Sequence, residues 1–107
     1  MIARIWYGYT TKENAGKYEN LLKTEVFPGV EQKKIKGYRR MSLLKRPLKD
    51  EVEFVTIMIF DDLAAVKEFA GDNYETSYVP QKARQILKRH DDFSEHYEIV
   101  TEINYSR

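Results

Sequence analysis

The chain has no cysteine, and that absence removes disulfides, thiolate metal sites and thiol nucleophiles together. It fits a reducing compartment such as the cytoplasm. Charge of one sign is also missing. Eighteen basic residues stand against seventeen acidic ones, a formal net charge of +1, so no global field recruits nucleic acid or a membrane surface. Nowhere do eighteen apolar residues follow one another, so no segment reads as a membrane span. The opening "MIARIWYGYT" lacks a basic stretch followed by an unbroken apolar run, and no signal peptide is expected. There is no Gly-rich phosphate loop, no serine-nucleophile motif and no HExxH. With no repeat, linker or low-complexity segment, residues 1–107 read as one domain.

What is present is a globular composition, 42% hydrophobic and 33% charged, with a legible order of elements. Ile2–Tyr9 is rich in β-branched and aromatic residues and reads as a strand. Thr10 followed three residues later by Glu13 has the form of a capping box. Ala15, Tyr18, Leu21 and Leu22 then recur at helical spacing, and Pro28-Gly29 marks the expected end. Tyr38–Arg46 reads as a second strand, Pro47–Glu51 as a turn, and Val52–Phe60 as a third strand. Asp61 or Asp62 caps a helix with Leu63, Val66, Phe69 and Ala70 inward, and Gly71 is placed to end it. Pro80 starts a short helix. Phe93–Ile103 reads as the last strand, its alternation running on to Tyr105. Strand, helix, strand, strand, helix, strand predicts an α+β fold, the ferredoxin-like split βαβ sandwich (βαββαβ) with an antiparallel sheet.

Helices cover only one face of such a sheet. Here neither register is plainly polar. One frame carries Ile5, Tyr7, Met41, Leu43, Val55, Ile57, Ile59, Tyr97 and Ile99; the other carries Trp6, Leu44, Phe54, Met58, Phe60 and Val100. Two apolar faces need two covers, and a second copy of the sheet supplies one, so a homodimer through the sheet face is expected. The tail Thr101–Arg107 is expected to contact that partner.

The segments "MIARIWYGYT", "VTIMIFDDLAAVKEFAG", "YVPQKARQIL" and "FSEHYEIV" together resemble the antibiotic biosynthesis monooxygenase-like group of the dimeric α/β-barrel superfamily. The resemblance runs over nearly the whole chain in order. It implies a homodimer and a small-ligand cavity between sheet and helices. The activity it implies is a monooxygenase-like, cofactor-free oxidation of an aromatic or phenolic substrate, without metal or flavin. Well-studied members of both oxygenase branches place a Trp near the end of the third strand, where this chain has Phe60, and use an active-site Asn. The haem-degrading branch carries its Asn on the first strand, where this chain has Tyr7 and Tyr9, and its haem-ligating His on a helix. No His precedes His90 in any expected helix here. The alternative reading is a non-catalytic small-ligand-binding or stress-response homodimer.

Among individual residues, His90 and His96 stand six apart with Asp91 and Asp92 between them. Helical ligand pairs sit three or four apart and strand pairs two apart, so no metal site is expected. His96 falls in the strand frame of Arg4, Trp6, Arg40, Thr56 and Glu98. Either these residues form a buried structural network, or His96 takes a proton from a phenolic substrate while Arg40 steadies the anion as the second catalytic group. In the catalytic reading the ligand is bound by Arg4, Trp6, Thr56, Met58 and Phe60, with Tyr74 and Tyr78 as a lid one helical turn apart. The run "KKIKGYRRMSLLKRPLK" from Lys33 to Lys49 holds eight basic residues and no acid. A solvated hairpin accounts for it, so no nucleic-acid partner is expected.

Overall fold

The structure, a computed structural model, describes residues 1–105. Ser106 and Arg107, the end of the expected partner-contacting tail, lie outside the described residues. In chain order the elements are β1 (Ile2–Thr10), α1 (Ala15–Leu21), a π-helical turn (Leu22–Val26) and α2 (Phe27–Gln32). Then come β2 (Tyr38–Pro47), β3 (Val52–Phe60), α3 (Leu63–Ala70), α4 (Gln81–Ile86), β4 (Arg89–His90) and β5 (Glu95–Glu98). The strands form one antiparallel sheet in the order β2–β3–β1, with β4 and β5 sharing the far edge of β1. This is the ferredoxin-like split βαβ arrangement.

Local chemistry explains several boundaries directly. Val52–Phe60 is a strand with the bounds its alternation predicts. The Asp62 carboxylate accepts from the Ala65 N–H and opens α3, and Gly71, at φ 87°, ends it in a conformation that costs a residue without Cβ little. Between β2 and β3 the Leu48 N–H closes a turn on the Glu51 carbonyl at 2.7 Å.

Four expectations need correction. Thr10 does not cap the first helix, because the ladder to Val52 keeps it in β1. Thr11 takes over that turn, its hydroxyl accepting from the Asn14 N–H at 3.2 Å. Pro28-Gly29 does not end the helix either. In the π turn the Phe27 N–H reaches back five residues to the Leu22 carbonyl, widening the chain just before the proline. Pro28 then sits in the first turn of a fresh helical segment, where its missing N–H costs nothing.

The third correction concerns β2. Tyr38 lies opposite Phe60 and Arg40 opposite Ile59, so Arg39 is an extra residue, a β-bulge that inverts the alternation after it. Met41 and Leu43 therefore face the helices, opposite Met58 and Thr56, while Arg40 and Leu44 face away. Fourth, the last strand is only Glu95–Glu98. The Ile99 N–H still bonds the Met1 carbonyl at 2.9 Å, but β1 offers no further partner. Beyond it Val100, Ile103 and Tyr105 are largely exposed.

Helices cover the sheet face formed by Arg4, Trp6, Gly8 and Thr10 of β1 with Val52, Phe54, Thr56, Met58 and Phe60 of β3. Two apolar clusters fill that layer. Tyr18, Leu21, Leu22, Phe54, Ala83 and Leu87 form one beneath α1 and α4, with Tyr18 edge-on to Phe54 at 4.8 Å. Val30, Ile35, Met58, Phe60, Val66 and Phe69 form the other beneath α2 and α3. Each fully buried side chain of this size contributes about 1.5–3 kcal/mol.

Candidate functional site

Between the two clusters the packing is incomplete. A cavity of about 60 Å³ opens there, lined by Tyr18 and Leu22 from one cluster and Val30, Met58 and Phe69 from the other. Val26 and Phe27, either side of the π turn's end, form part of its wall, and Tyr78, Val79 and Pro80 close it on the loop side. Its floor is the sheet, through Arg4, Trp6, Thr56 and Met58.

Trp6 is the chain's one tryptophan. Its indole lies across Gly8, so close that a Cβ there would meet the ring at 2.8 Å. Its N–H donates to the Asp91 carbonyl at 2.8 Å. The ring is held at both ends.

Arg4 is the unusual residue. It is 3% exposed, yet no carboxylate is among its partners in the described residues. Nη1 donates to the Tyr74 carbonyl and contacts His96 Nε2 at 2.9 Å, and Nη2 donates to the Thr76 carbonyl at 3.2 Å. The guanidinium lies over the Phe69 ring, 5.4 Å from its centroid. Burial lowers its pKa to about 10, so it is a cation at neutral pH. Because arginine only donates, His96 Nε2 must accept, which puts the imidazole proton on Nδ1. Burial and then the Arg4 charge hold the His96 pKa below its ordinary value, against a smaller upward pull from Glu75. The imidazole is edge-on to Tyr74 at 5.1 Å.

The sheet register brings Arg4, Trp6, Thr56, Met58 and His96 to one face, with Arg4 directly opposite His96. The first four, with Tyr78, line the cavity. His96 does not; it stands behind Arg4 and holds it. Phe60 is wholly buried in the core against Tyr38 and Phe69, outside the cavity wall. Tyr74 contributes its carbonyl to Arg4 and its ring to His96 rather than a lid. Arg40 is on the wrong face. The bulge turns it away from His96, and it pairs with Glu102 of the tail at 2.6 Å. Glu98 shares the face of His96, opposite Ile2, but is exposed and makes no hydrogen bond with Arg4 or His96.

Two buried polar residues on the cavity wall escaped the sequence reading. Tyr18 was hidden in a helical apolar stripe; only its phenol, whose pKa burial raises, marks it as polar. Ser94 had no signal at all. Within the basic run, four residues are ion-paired: Arg39 with Asp61, Arg40 with Glu102, Lys45 with Glu19 and Arg46 with Glu53. His90 packs against Trp6 at 5.9 Å, and no group of three potential metal ligands occurs among the described residues. Among those residues no helix is long and apolar enough to cross a membrane.

Fold and cavity together define a ferredoxin-like α+β protein with an apolar pocket between its sheet and its helices. Solved structures of the antibiotic biosynthesis monooxygenase type share this fold. A Bacillus cereus protein provisionally named an antibiotic biosynthesis monooxygenase superposes with a TM-score of 0.67 at 15% identity, over 97% of each chain. Rv0793 of Mycobacterium tuberculosis gives 0.64 at 17% identity, over 96% of this chain and 98% of that one. A variant of SnoaB, a cofactor-independent oxygenase of Streptomyces nogalater, gives 0.60 at 14% identity, over 97% and 98%. At these identities the likeness is one of fold. No family model and no curated protein sequence matches the chain.

Proposed function

We propose that the protein, read as a single domain over residues 1–107, oxidises a small electron-rich aromatic molecule with dioxygen, using neither metal nor flavin. The observation that carries this reading is the cavity itself. It has aromatic and thioether walls (Trp6, Phe69, Tyr78, Met58) and polar groups confined to a few points, in a fold shared with a cofactor-independent oxygenase. Such walls suit a flat ligand, with the few polar groups setting its orientation. The stoichiometry asks little of the protein: a phenol and dioxygen give a quinone and water, with the substrate supplying the electrons. What remains is to hold the ring, exclude bulk water and stabilise the phenolate that reacts.

In this reading Arg4 takes the role first expected of Arg40, because Arg4 is the guanidinium on the cavity floor. His96 acts through it. The guanidinium that the imidazole orients stabilises the substrate bound as its phenolate, the proton having passed to solvent on entry. Dioxygen uptake with a panel of phenols and hydroquinones tests the proposal, and saturable binding without uptake favours a non-catalytic ligand-binding protein instead.

A homodimer through the open sheet face, in the cytoplasm, completes the proposal. Ile5, Tyr7, Val55 and Ile57 share that face with Leu44 and Tyr97, which are 47% and 52% exposed. Its cations carry their own counter-ions: Arg40 has Glu102, Arg46 has Glu53 and Arg89 has Glu51. An apolar face with its charges neutralised from within the chain suits association with a copy of itself.

A further inference from the structure

Buried charges are ordinarily paired, since taking an ion out of water is repaid only by a counter-ion and full hydrogen bonding. Arg4 departs from that rule. It is 3% exposed, and its neighbours are two backbone carbonyls, a neutral imidazole and the face of Phe69. All four solvate a cation, and none carries a full negative charge. The cavity that Arg4 lines is otherwise apolar apart from Thr56, Ser94, Tyr18 and Tyr78. Of its five N–H donors, three meet these neighbours. Among the described residues two donors are left over, together with a charge that no carboxylate compensates.

We infer that the cavity is built for an oxyanion carried on an apolar body, a carboxylate or an already ionised phenol, whose charged oxygens meet the spare donors of Arg4. The inference rests on the cavity being the ligand site, and it adds the charge class of the ligand. A guanidinium with two free donors matches a carboxylate in a way that a neutral amide of the same outline does not. Lys33 lies over Phe69 and Tyr78, two of the lining rings, at 5.1 and 4.7 Å from their centroids, so a second cation stands next to the cavity wall. His96 is the positioning residue. It accepts from Arg4 without adding a charge, so the guanidinium is oriented and not neutralised.

Size limits the class further. The cavity offers about 60 Å³, room for a few waters, whereas a cavity of about 150 Å³ is known to admit benzene. Short-chain acids fit most nearly as the walls stand. An aromatic acid must push outward the wall made by Val26, Phe27 and Tyr78.

Trp6 reports on occupancy, being the sole tryptophan and part of the lining. Its fluorescence is titrated with two pairs of probes matched in shape, butyrate against butyramide and benzoate against benzamide. The expected result is that each carboxylate binds about 10- to 100-fold tighter than its amide, the usual margin for a hydrogen-bonded charge. That preference should collapse in Arg4→Met, an apolar replacement of similar length. Equal binding of acid and amide overturns the inference. So does binding of neither, or a preference that survives in a folded Arg4→Met. If that variant does not fold, the wild-type pairs decide alone. Dioxygen uptake is read separately. A charge preference without uptake leaves the binding class standing and removes the oxidation, while uptake of neutral substrates with no charge preference does the reverse.

Discussion

Replacing Thr10 by valine exchanges a hydroxyl for a methyl group at nearly constant volume, at a position with no exposure to solvent. Thr10 ends β1 opposite Val52, and its Oγ1 has no hydrogen-bond partner among the described residues. A hydroxyl buried without a bond costs about 1–3 kcal/mol by mutational measures. Valine keeps the β-branched shape that the strand favours and removes that cost. A gain of about 1–2 kcal/mol follows. With an unfolding entropy of about 2 cal/mol/K per residue over 107 residues, the Tm should rise by about 4–9 °C. Scanning calorimetry at fixed protein concentration measures it, and a higher urea midpoint with unchanged slope confirms that the native state gained. The opposite role predicts the opposite sign: a hydroxyl capping the first helix would lose about 1 kcal/mol on becoming valine. An unchanged or lowered Tm therefore refutes the reasoning.

Gly8→Ala should drive a Cβ into the Trp6 ring and the Leu87 side chain, 2.8 and 3.2 Å away. Overpacking of this kind costs about 1–3 kcal/mol, and a shifted Trp6 emission maximum should accompany the lowered Tm. His96 adds a pH dependence. Its folded-state pKa lies below the ordinary value, so on acidification the unfolded chain takes up the proton first. The stability it contributes is complete above about pH 6.5 and falls as the pH drops through the folded pKa. His96→Gln should flatten that part of the Tm–pH curve, and an unaltered curve counts against a half-buried neutral imidazole. Ile57→Glu on the open face should leave the circular dichroism native and turn a dimer into a monomer by light scattering. A wild type that already scatters as a monomer defeats the dimer proposal.

Much of the fold is written locally in the chain. Val52–Phe60 alternates between two turn signals, and Asp62 and Gly71 bracket α3 with cap chemistry. What was not legible depends on single residues without a composition of their own. Nothing about Arg39 marks it as the surplus residue of a bulge, so the frame of β2 was read one step out and Arg40 was placed beside His96. Alternation from Tyr97 to Tyr105 persists whether or not a neighbour is there to pair, so the last strand was read too long. Arg4, Trp6, Thr56 and Met58 were found because β1 and β3 run without a bulge and every second residue shares a face. Tyr18 and Ser94 reach the cavity from a helix and a loop, where no period of two points to them.

The π turn at Leu22–Val26 makes the roof of the cavity a matter of counting rather than of side-chain choice. One surplus residue separates two helical halves, and each residue of an α-helix turns the chain by about 100°. Deleting Thr24 alone, with every lining side chain retained, would let the backbone relax to regular winding and swing everything after it by that angle. Phe27 and Val30 would leave the wall, and Pro28 would be carried into an uninterrupted helix it cannot occupy. A chain with such a turn tolerates changes of residue here far better than changes of length. Loss of one residue in this stretch would therefore change the cavity's shape and the stability of the helix together.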